Sequence, residues 1–360
     1  MELNDSQLSR LDSVGLAEAI RKGELSPTEA VQSSINRIEE MNGDLNAVVT
    51  ERFERALEDA DGEIPDGAFR GVPFILKDLW TASADEPMHL GNKALKDANY
   101  ISPIESDLAR RYREAGFIVV GRSNTPEFGL VGTTEPESYG PCRNPWNTDF
   151  GTGGSSGGAA AAVASGMVPA ANASDGGGSI RIPAAMCGLI GLKPSRGRVP
   201  MGPMQEEWGL SIQHVVCHSM RDAAGILDAT AIPTIGDGVV APRYGQPYLS
   251  QVGFEPRRLK IGIWNEAPRD DLVLHPDCQR LTSDAGKLLE ALGHSVEESH
   301  PSALDDPAIA GRFSAIWMAG ANLTLKNLSK LLQCQLSEIP FPEKNNTNKA
   351  SAIIGFNSFG

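Results

Sequence analysis

Along the first sixty residues the apolar positions fall at helical spacing. A helix is predicted over Leu16 to Ile20, ending near Gly23. Ser26-Pro27-Thr28-Glu29 places a capping serine, a proline at the first helical position and a glutamate three residues after the cap, a capping box. Ala30, Val31, Ile35 and Ile38 continue that helix. From Gly71 the pattern changes to short apolar runs separated by helical stretches. Val72–Leu76 and Phe117–Gly121 read as buried strands, with a helix over 106–115 between them. A glycine-rich loop at 151–158 leads into an alanine-rich helix, Ala159–Val163. Val168–Ala173 is the next predicted strand, followed by a second glycine loop at 176–178. Leu259–Ile263 reads as a strand and 277–292 as a helix closed by Gly293. Strands alternating with helices predict an α/β fold around a central sheet. Three stretches are distinguished: a helical segment over 1–65 packed on the core, a core over 66–235, and 236–360 as the continuation of the same domain. Within the last, 236–257 is rich in Gly, Pro and polar residues and is read as a surface excursion. The tail Glu343–Gly360 ends without an evident helix or strand.

Composition narrows the function classes. The chain has 360 residues, 41% hydrophobic and 22% charged, which suits a globular protein with a sizeable core. The net charge of −14 disfavours nucleic acid and anionic membrane surfaces as partners. No run approaches the ~20 apolar residues of a membrane span, and the N-terminus MELNDSQLSR has no apolar signal core. The five cysteines, Cys142, Cys187, Cys217, Cys278 and Cys334, are odd in number and form no C-x-x-C pair, so a reduced, cytoplasmic protein is expected.

Candidate chemistry lies in two glycine–serine loops. Gly153-Gly154-Ser155-Ser156-Gly157-Gly158 frees the backbone for unusual conformations and exposes hydroxyls and N–H groups. It also fits G-x-S-x-G; that elbow needs an apolar strand before it, and Asn147–Thr152 does not read as one, but His214, His218, His294 or His300 could complete a triad, so the reading stays open. No phosphate-loop or dinucleotide motif is matched. In Asp175-Gly176-Gly177-Gly178-Ser179-Ile180-Arg181, three glycines before a serine can turn several N–H groups to one point, as an oxyanion hole requires; a tight structural turn is the alternative. A serine nucleophile needs a base. Lys77 ends the apolar run Phe74–Leu76, where burial would favour its neutral form, although pairing with Asp78 at a surface is the plainer reading of an isolated lysine. His214 and His218 flank Cys217, but H-E-x-x-H and a third ligand are missing, so no metal is expected. Arg181 is read as loop support through a nearby carboxylate such as Asp175, with a substrate carboxylate as the alternative partner, Asp222 as a helix cap, Cys187 as core, and Met201, Met204 and Trp208 as pocket lining or packing.

Lys77, the Gly-Gly-Ser-Ser-Gly-Gly stretch and Asp-x-Gly-Gly-Ser-Ile-Arg-x-Pro together resemble the amidase signature family. So do Gly71–Phe74, Asn124–Glu127, Asn144–Trp146 and Cys187–Pro194. The resemblance runs well over 10–230 and faintly through Ala291–His294. It implies a central mixed β-sheet covered by helices on both faces. It further implies Ser179 as nucleophile, Ser155 on a cis peptide bond as the bridging serine, Lys77 as base, and an oxyanion hole from the N–H groups of Gly176, Gly177, Gly178 and Ser179. The implied activity is hydrolysis of a small-molecule carboxamide through an acyl-enzyme, with no metal or organic cofactor; a homodimer is compatible with it. The Gly176–Gly178 version of the loop and the run from Gly209 to Asp222 look most similar to bacterial aminohexanoate cyclic-dimer hydrolases. Alternatives are a glutaminase subunit of a tRNA-dependent amidotransferase, an esterase, and a shortened or non-catalytic homologue, because family members are commonly longer and this tail is expected to be truncated. Phe150 and Thr152 depart from the basic residue and proline often found there.

Overall fold

Every residue of Pro73–Lys77 is buried, the signature of a strand covered on both faces. The computed structural model describes residues 8–203, 209–242, 244–267 and 272–331. In it this strand is the middle of a five-stranded sheet of β1 (Val48–Glu51), β2 (Pro73–Lys77), β3 (Ile118–Ser123), β4 (Ala170–Asp175) and β5 (Ile212–Cys217), in the order β1-β3-β2-β4-β5. Strand β2 runs parallel to β3 and β4, and β1 and β5 close the edges antiparallel. The sheet is therefore mixed, as expected.

The helices packed on it are α1 (Ser13–Arg21), α2 (Pro27–Leu45), α3 (Phe53–Asp61), α4 (Asp107–Glu114), α5 (Gly157–Ala164), α6 (Arg181–Cys187) and α7 (Met220–Thr230), and a short helix, Lys93–Asp97, lies outside these layers. The alternation of strand side chains sorts them into two layers. Ile75, Ile118, Val120, Ala171, Ala173 and Val216 join a core with α2, α3, α5 and α6. Phe74, Leu76, Ala170, Val215 and Cys217 join a second core with α1, α4 and α7. In the second, the Phe74 ring packs at a tilt against Tyr112 and Phe117, with ring centroids 4.6 Å apart in each pair. Burial of several such aromatic and aliphatic side chains, each contributing about 1.5–3 kcal/mol, stabilises the sheet from both sides.

Local signals fix the helix ends. Ser26 Oγ accepts the Glu29 N–H at 3.2 Å while a Glu29 carboxylate oxygen accepts the Ser26 N–H at 2.7 Å, the expected capping box. Asp222 is a cap, but of another helix: its carboxylate accepts the N–H groups of Ser13 and Val14 at 2.7 and 2.9 Å, at the start of α1. Asp12 in turn accepts from Ser219 and Arg221 at the start of α7.

Two local expectations are corrected. The helical first segment contains β1, because Asn46 takes a left-handed conformation (φ 52°) that ends α2 and Asn42 Oδ1 accepts the N–H groups of Ala47 and Val48, turning the chain into the sheet. Asn147–Gly151, not read as a strand, is one, paired with Arg143–Asn144 in a mostly exposed hairpin; with both faces wet, no apolar alternation marks it. Met204, Trp208, Cys334 and the tail from Glu343 lie outside the described residues.

The described residues form two compact units, one up to Val252 together with 320–331, and the other Gly253–Ala319. The second holds a parallel pair, β6 (Lys260–Ile263) and β7 (Ser295–Glu298), joined through α8 (Pro276–Ala291). Helix α9 (Ile309–Leu331) follows and ends within the first unit, where its Leu325 and Leu328 pack with Leu79, Met88, Leu90 and Phe128.

Two glycine-to-alanine changes should have opposite signs. At Gly158 an added Cβ would lie 2.3 Å from Asn124 N and 2.5 Å from Ala47 O, both backbone atoms. Gly158→Ala is expected to cost about 3 kcal/mol or more. Gly43, exposed in α2, has nothing within 4 Å of such a Cβ, so Gly43→Ala should stabilise by about 0.5–1 kcal/mol. Urea midpoints of the two variants against the parent chain check both.

Candidate active site

In sheets of this type ligands bind beyond the carboxyl ends of the parallel strands. Lys77 is the last residue of β2 and Asp175 the last of β4. Lys77 is fully buried. Its N–H donates to Asn172 Oδ1 at 3.2 Å, and its carbonyl accepts from Arg122 Nη1 at 3.4 Å, an atom that also donates to Thr81 O at 2.9 Å. The strand end is thus held from both neighbouring strands. The amine lies among three hydroxyls: Ser155 Oγ at 2.7 Å, Ser156 Oγ at 2.9 Å and Ser174 Oγ at 2.9 Å.

Ser155 stands just before α5, after a cis Gly154–Ser155 peptide. Its loop admits only glycine at key places. Gly153 has φ 70°, and a Cβ at Gly154 would lie 2.5 Å from Thr133 O. Thr134 Oγ1 holds the loop by donating to Gly153 O at 2.8 Å and accepting the Gly157 N–H at 3.2 Å. The Ser156 N–H donates to the Ser179 carbonyl at 3.2 Å, which ties the two serine loops together. Among the described residues no hydrogen bond joins the Ser155 and Ser179 hydroxyls.

The Ser179 loop is organised by Asp175. Its carboxylate accepts the N–H groups of Gly178 at 2.7 Å and Ile180 at 3.2 Å, and Arg181 Nε and Nη2 at 2.9 Å each. The bidentate pair with Arg181 fulfils the loop-support reading. Burial alone would raise the Asp175 pKa, but these donors outweigh it and hold the carboxyl below its usual range. The Gly178 N–H, expected in the oxyanion set, donates instead to the Asp175 carboxylate, three residues earlier. Among the described residues, the N–H groups of Gly176, Gly177 and Ser179 have no acceptor within the chain.

Burial pushes the Lys77 pKa down to about 7, partly opposed by the Asp175 carboxylate. A neutral amine 2.7 Å from a hydroxyl can take its proton. The structure thus brings Lys77, Ser155 and the Ser179 backbone together. Sequence reasoning missed Ser156 and Ser174 as partners of the amine. Ser156 was visible as the second serine of its doublet; Ser174 had no signal beyond standing before Asp175. His214 and His218 are occupied structurally, with Nε2 of each facing a carbonyl, Ala223 O at 3.1 Å and Val163 O at 2.8 Å. Among the described residues no cluster of metal-ligating side chains occurs. Cys187 and Met201 are buried.

A family model described as Amidase matches residues 29–354. The chain is 38% identical over 309 residues to a 6-aminohexanoate-cyclic-dimer hydrolase of Paenarthrobacter ureafaciens, covering 85% of this chain and 62% of that protein. It is 36% identical over 292 residues to one of the subunits of the glutamyl-tRNA(Gln) amidotransferase of Chromohalobacter salexigens, covering 79% of this chain and 59% of that one. The chain therefore spans about three fifths of the length of these relatives. Among solved structures, a substrate complex of 6-aminohexanoate cyclic dimer hydrolase superposes with a TM-score of 0.89 at 34% identity, covering 97% of this chain and 71% of that one.

Removing the Asp175 charge tests the loop support. Asp175→Asn should destabilise by about 2–3 kcal/mol at pH 7, since several donors lose a charged acceptor. A carboxyl whose folded pKa is depressed contributes stability above its unfolded value and loses it as pH falls through the folded one. The gap between parent and variant in urea unfolding should therefore hold at neutral pH and close below about pH 4.

Proposed function

Because the chain belongs to the amidase family, we propose that it hydrolyses a small-molecule carboxamide, with Ser179 as nucleophile and Ser155 and Lys77 as its proton relay. The observation that carries this reading is the buried Lys77 amine, 2.7 Å from Ser155 Oγ with a pKa of about 7.

In the proposed sequence neutral Lys77 takes the Ser155 proton as Ser155 takes that of Ser179. Ser179 Oγ attacks the amide carbon, and the N–H groups of Gly176, Gly177 and Ser179 hold the developing oxyanion. Ser155 then returns a proton to the leaving amine, and water, activated by the same relay, releases the acid. The Ser155–Ser179 hydroxyl contact closes when substrate is bound, as catalytic hydrogen bonds commonly tighten in the complex. The steps call for no metal or organic cofactor.

For the substrate we propose an uncharged aliphatic amide of the kind named in the cyclic-dimer hydrolase relatives. Engagement of Arg181 by Asp175 supports this over glutamine, since the cation nearest Ser179 in sequence is not free for a substrate carboxylate. An amidotransferase glutaminase would need partner subunits, so hydrolysis of simple amides by the isolated chain separates the two. A reducing cytoplasm is proposed as its location, supported by free thiols at Cys142, Cys187, Cys217 and Cys278.

A fluorophosphonate probe read by mass spectrometry should label Ser179. Ser179→Ala should abolish labelling, and Lys77→Ala or Ser155→Ala should slow it by about 10²-fold or more. Labelling elsewhere, or unchanged rates in both relay variants, would sink the mechanism. The base acts when neutral, so kcat/KM should rise with pH to a plateau above about pH 7. The same depressed pKa means the unfolded chain holds the extra proton between about 7 and 10.5, so the Lys77 contribution to stability rises with pH across that window.

A further inference from the structure

The three hydroxyls around Lys77 are not equivalent. Ser156 Oγ has one proton, which it donates to the Ser174 carbonyl at 3.2 Å, and it also accepts the Ser174 N–H at 3.2 Å. It can only accept from Lys77. A neutral amine has two N–H groups and one lone pair. With one N–H given to Ser156, the second N–H and the lone pair are left to divide between Ser155 and Ser174. If the N–H goes to Ser155, that hydroxyl is an acceptor and no relay can start. If it goes to Ser174, the lone pair points at the Ser155 proton.

We propose that Ser174 is a positioning residue that takes a Lys77 N–H and so aims the amine lone pair at Ser155. The inference rests on the relay proposed above. Ser174 sits on β4, a different element from both serine loops, so its hold on the amine is independent of theirs. The charged groups around Lys77 are Asp175 at the end of β4, Asp78 next in its own chain and Arg122 on β3, which holds the Lys77 carbonyl. None of them is altered by a change at Ser174.

Ser174→Ala, with Ser174→Thr as the conservative rescue, tests this on the full chain. Two readouts are followed: the pH profile of amide hydrolysis, and the titration of Lys77 by the ¹³Cε resonance, assigned against Lys77→Met. Without the Ser174 hydroxyl one N–H of the buried ammonium loses its acceptor, which penalises the charged form. The Lys77 midpoint should fall by about one pH unit, and the high-pH plateau of kcat by about tenfold or more. Ser174→Thr should restore both. A lost plateau with an unmoved midpoint and no rescue by threonine would mean a merely structural defect. A moved midpoint with an intact plateau would mean that the hydroxyl contacts the amine without aiming it; either result overturns the proposal. Should Ser174→Ala fail to fold, Ser174→Cys, whose thiol is a weak acceptor, is read by the same criteria. Were the parent chain to show no Ser179-dependent hydrolysis, the proposed function would fall by that result, while an unmoved midpoint in the Lys77 titration would still refute the Ser174 contact on its own.

Discussion

Sealing a lysine amine away from water is the constraint around which this molecule is arranged. A buried ammonium is costly, and the cost falls on the charged form, so the site holds Lys77 near neutrality at physiological pH. That state is sustainable because three hydroxyls and no carboxylate surround the amine within hydrogen-bond distance. A direct carboxylate partner would have restored the charge. Asp175, the acid whose charge acts on Lys77, is turned towards Gly178, Ile180 and Arg181 instead, and its influence on the amine is felt only through space.

The rest of the architecture serves that burial. Lys77 reaches the centre of the molecule because β2 is the middle strand, with helices on both faces. The loops that meet it must come close, and side chains would keep them apart. At Gly154, Gly157 and Gly158 a Cβ would fall within 2.5 Å of Thr133 O, Thr152 Oγ1 or Asn124 N. The alanine-rich face of α5 continues this close approach along the sheet, with every residue from Gly157 to Val163 buried. Small residues are therefore what lets a helix start, and its two serines, rest against the amine.

The two serine loops are rigid for different reasons. The Ser155 loop is pinned by Thr134 and by the absence of side-chain bulk. The Ser179 loop is pinned by a single carboxylate that gathers three backbone N–H groups, of Gly178, Ile180 and Arg181, and a guanidinium. That carboxylate takes the Gly178 N–H and leaves those of Gly176, Gly177 and Ser179 without an acceptor among the described residues. Charge placement in the second loop thus sets its shape.

Local pattern was enough to find most elements and the family. Periodicity located β2, β3, β4, α5 and α8, the capping box set the start of α2, and the motifs around Lys77, Ser155 and Ser179 carried the family resemblance, because these signals are local or depend on fixed spacing. Pattern did not reveal β1 or the Asn147–Gly151 strand, since one follows a side-chain turn at Asn42 and Asn46 and the other buries neither face. It took the folded chain to show that Asp222 caps a helix some two hundred residues away, that Gly178 is withdrawn by Asp175, and that Ser156 and Ser174 complete the shell of the amine. Hydrogen-bond partners are chosen by distance and direction in space. Residues 77, 156 and 174 become neighbours only after the sheet has paired β2 with β4 and packed α5 on its face.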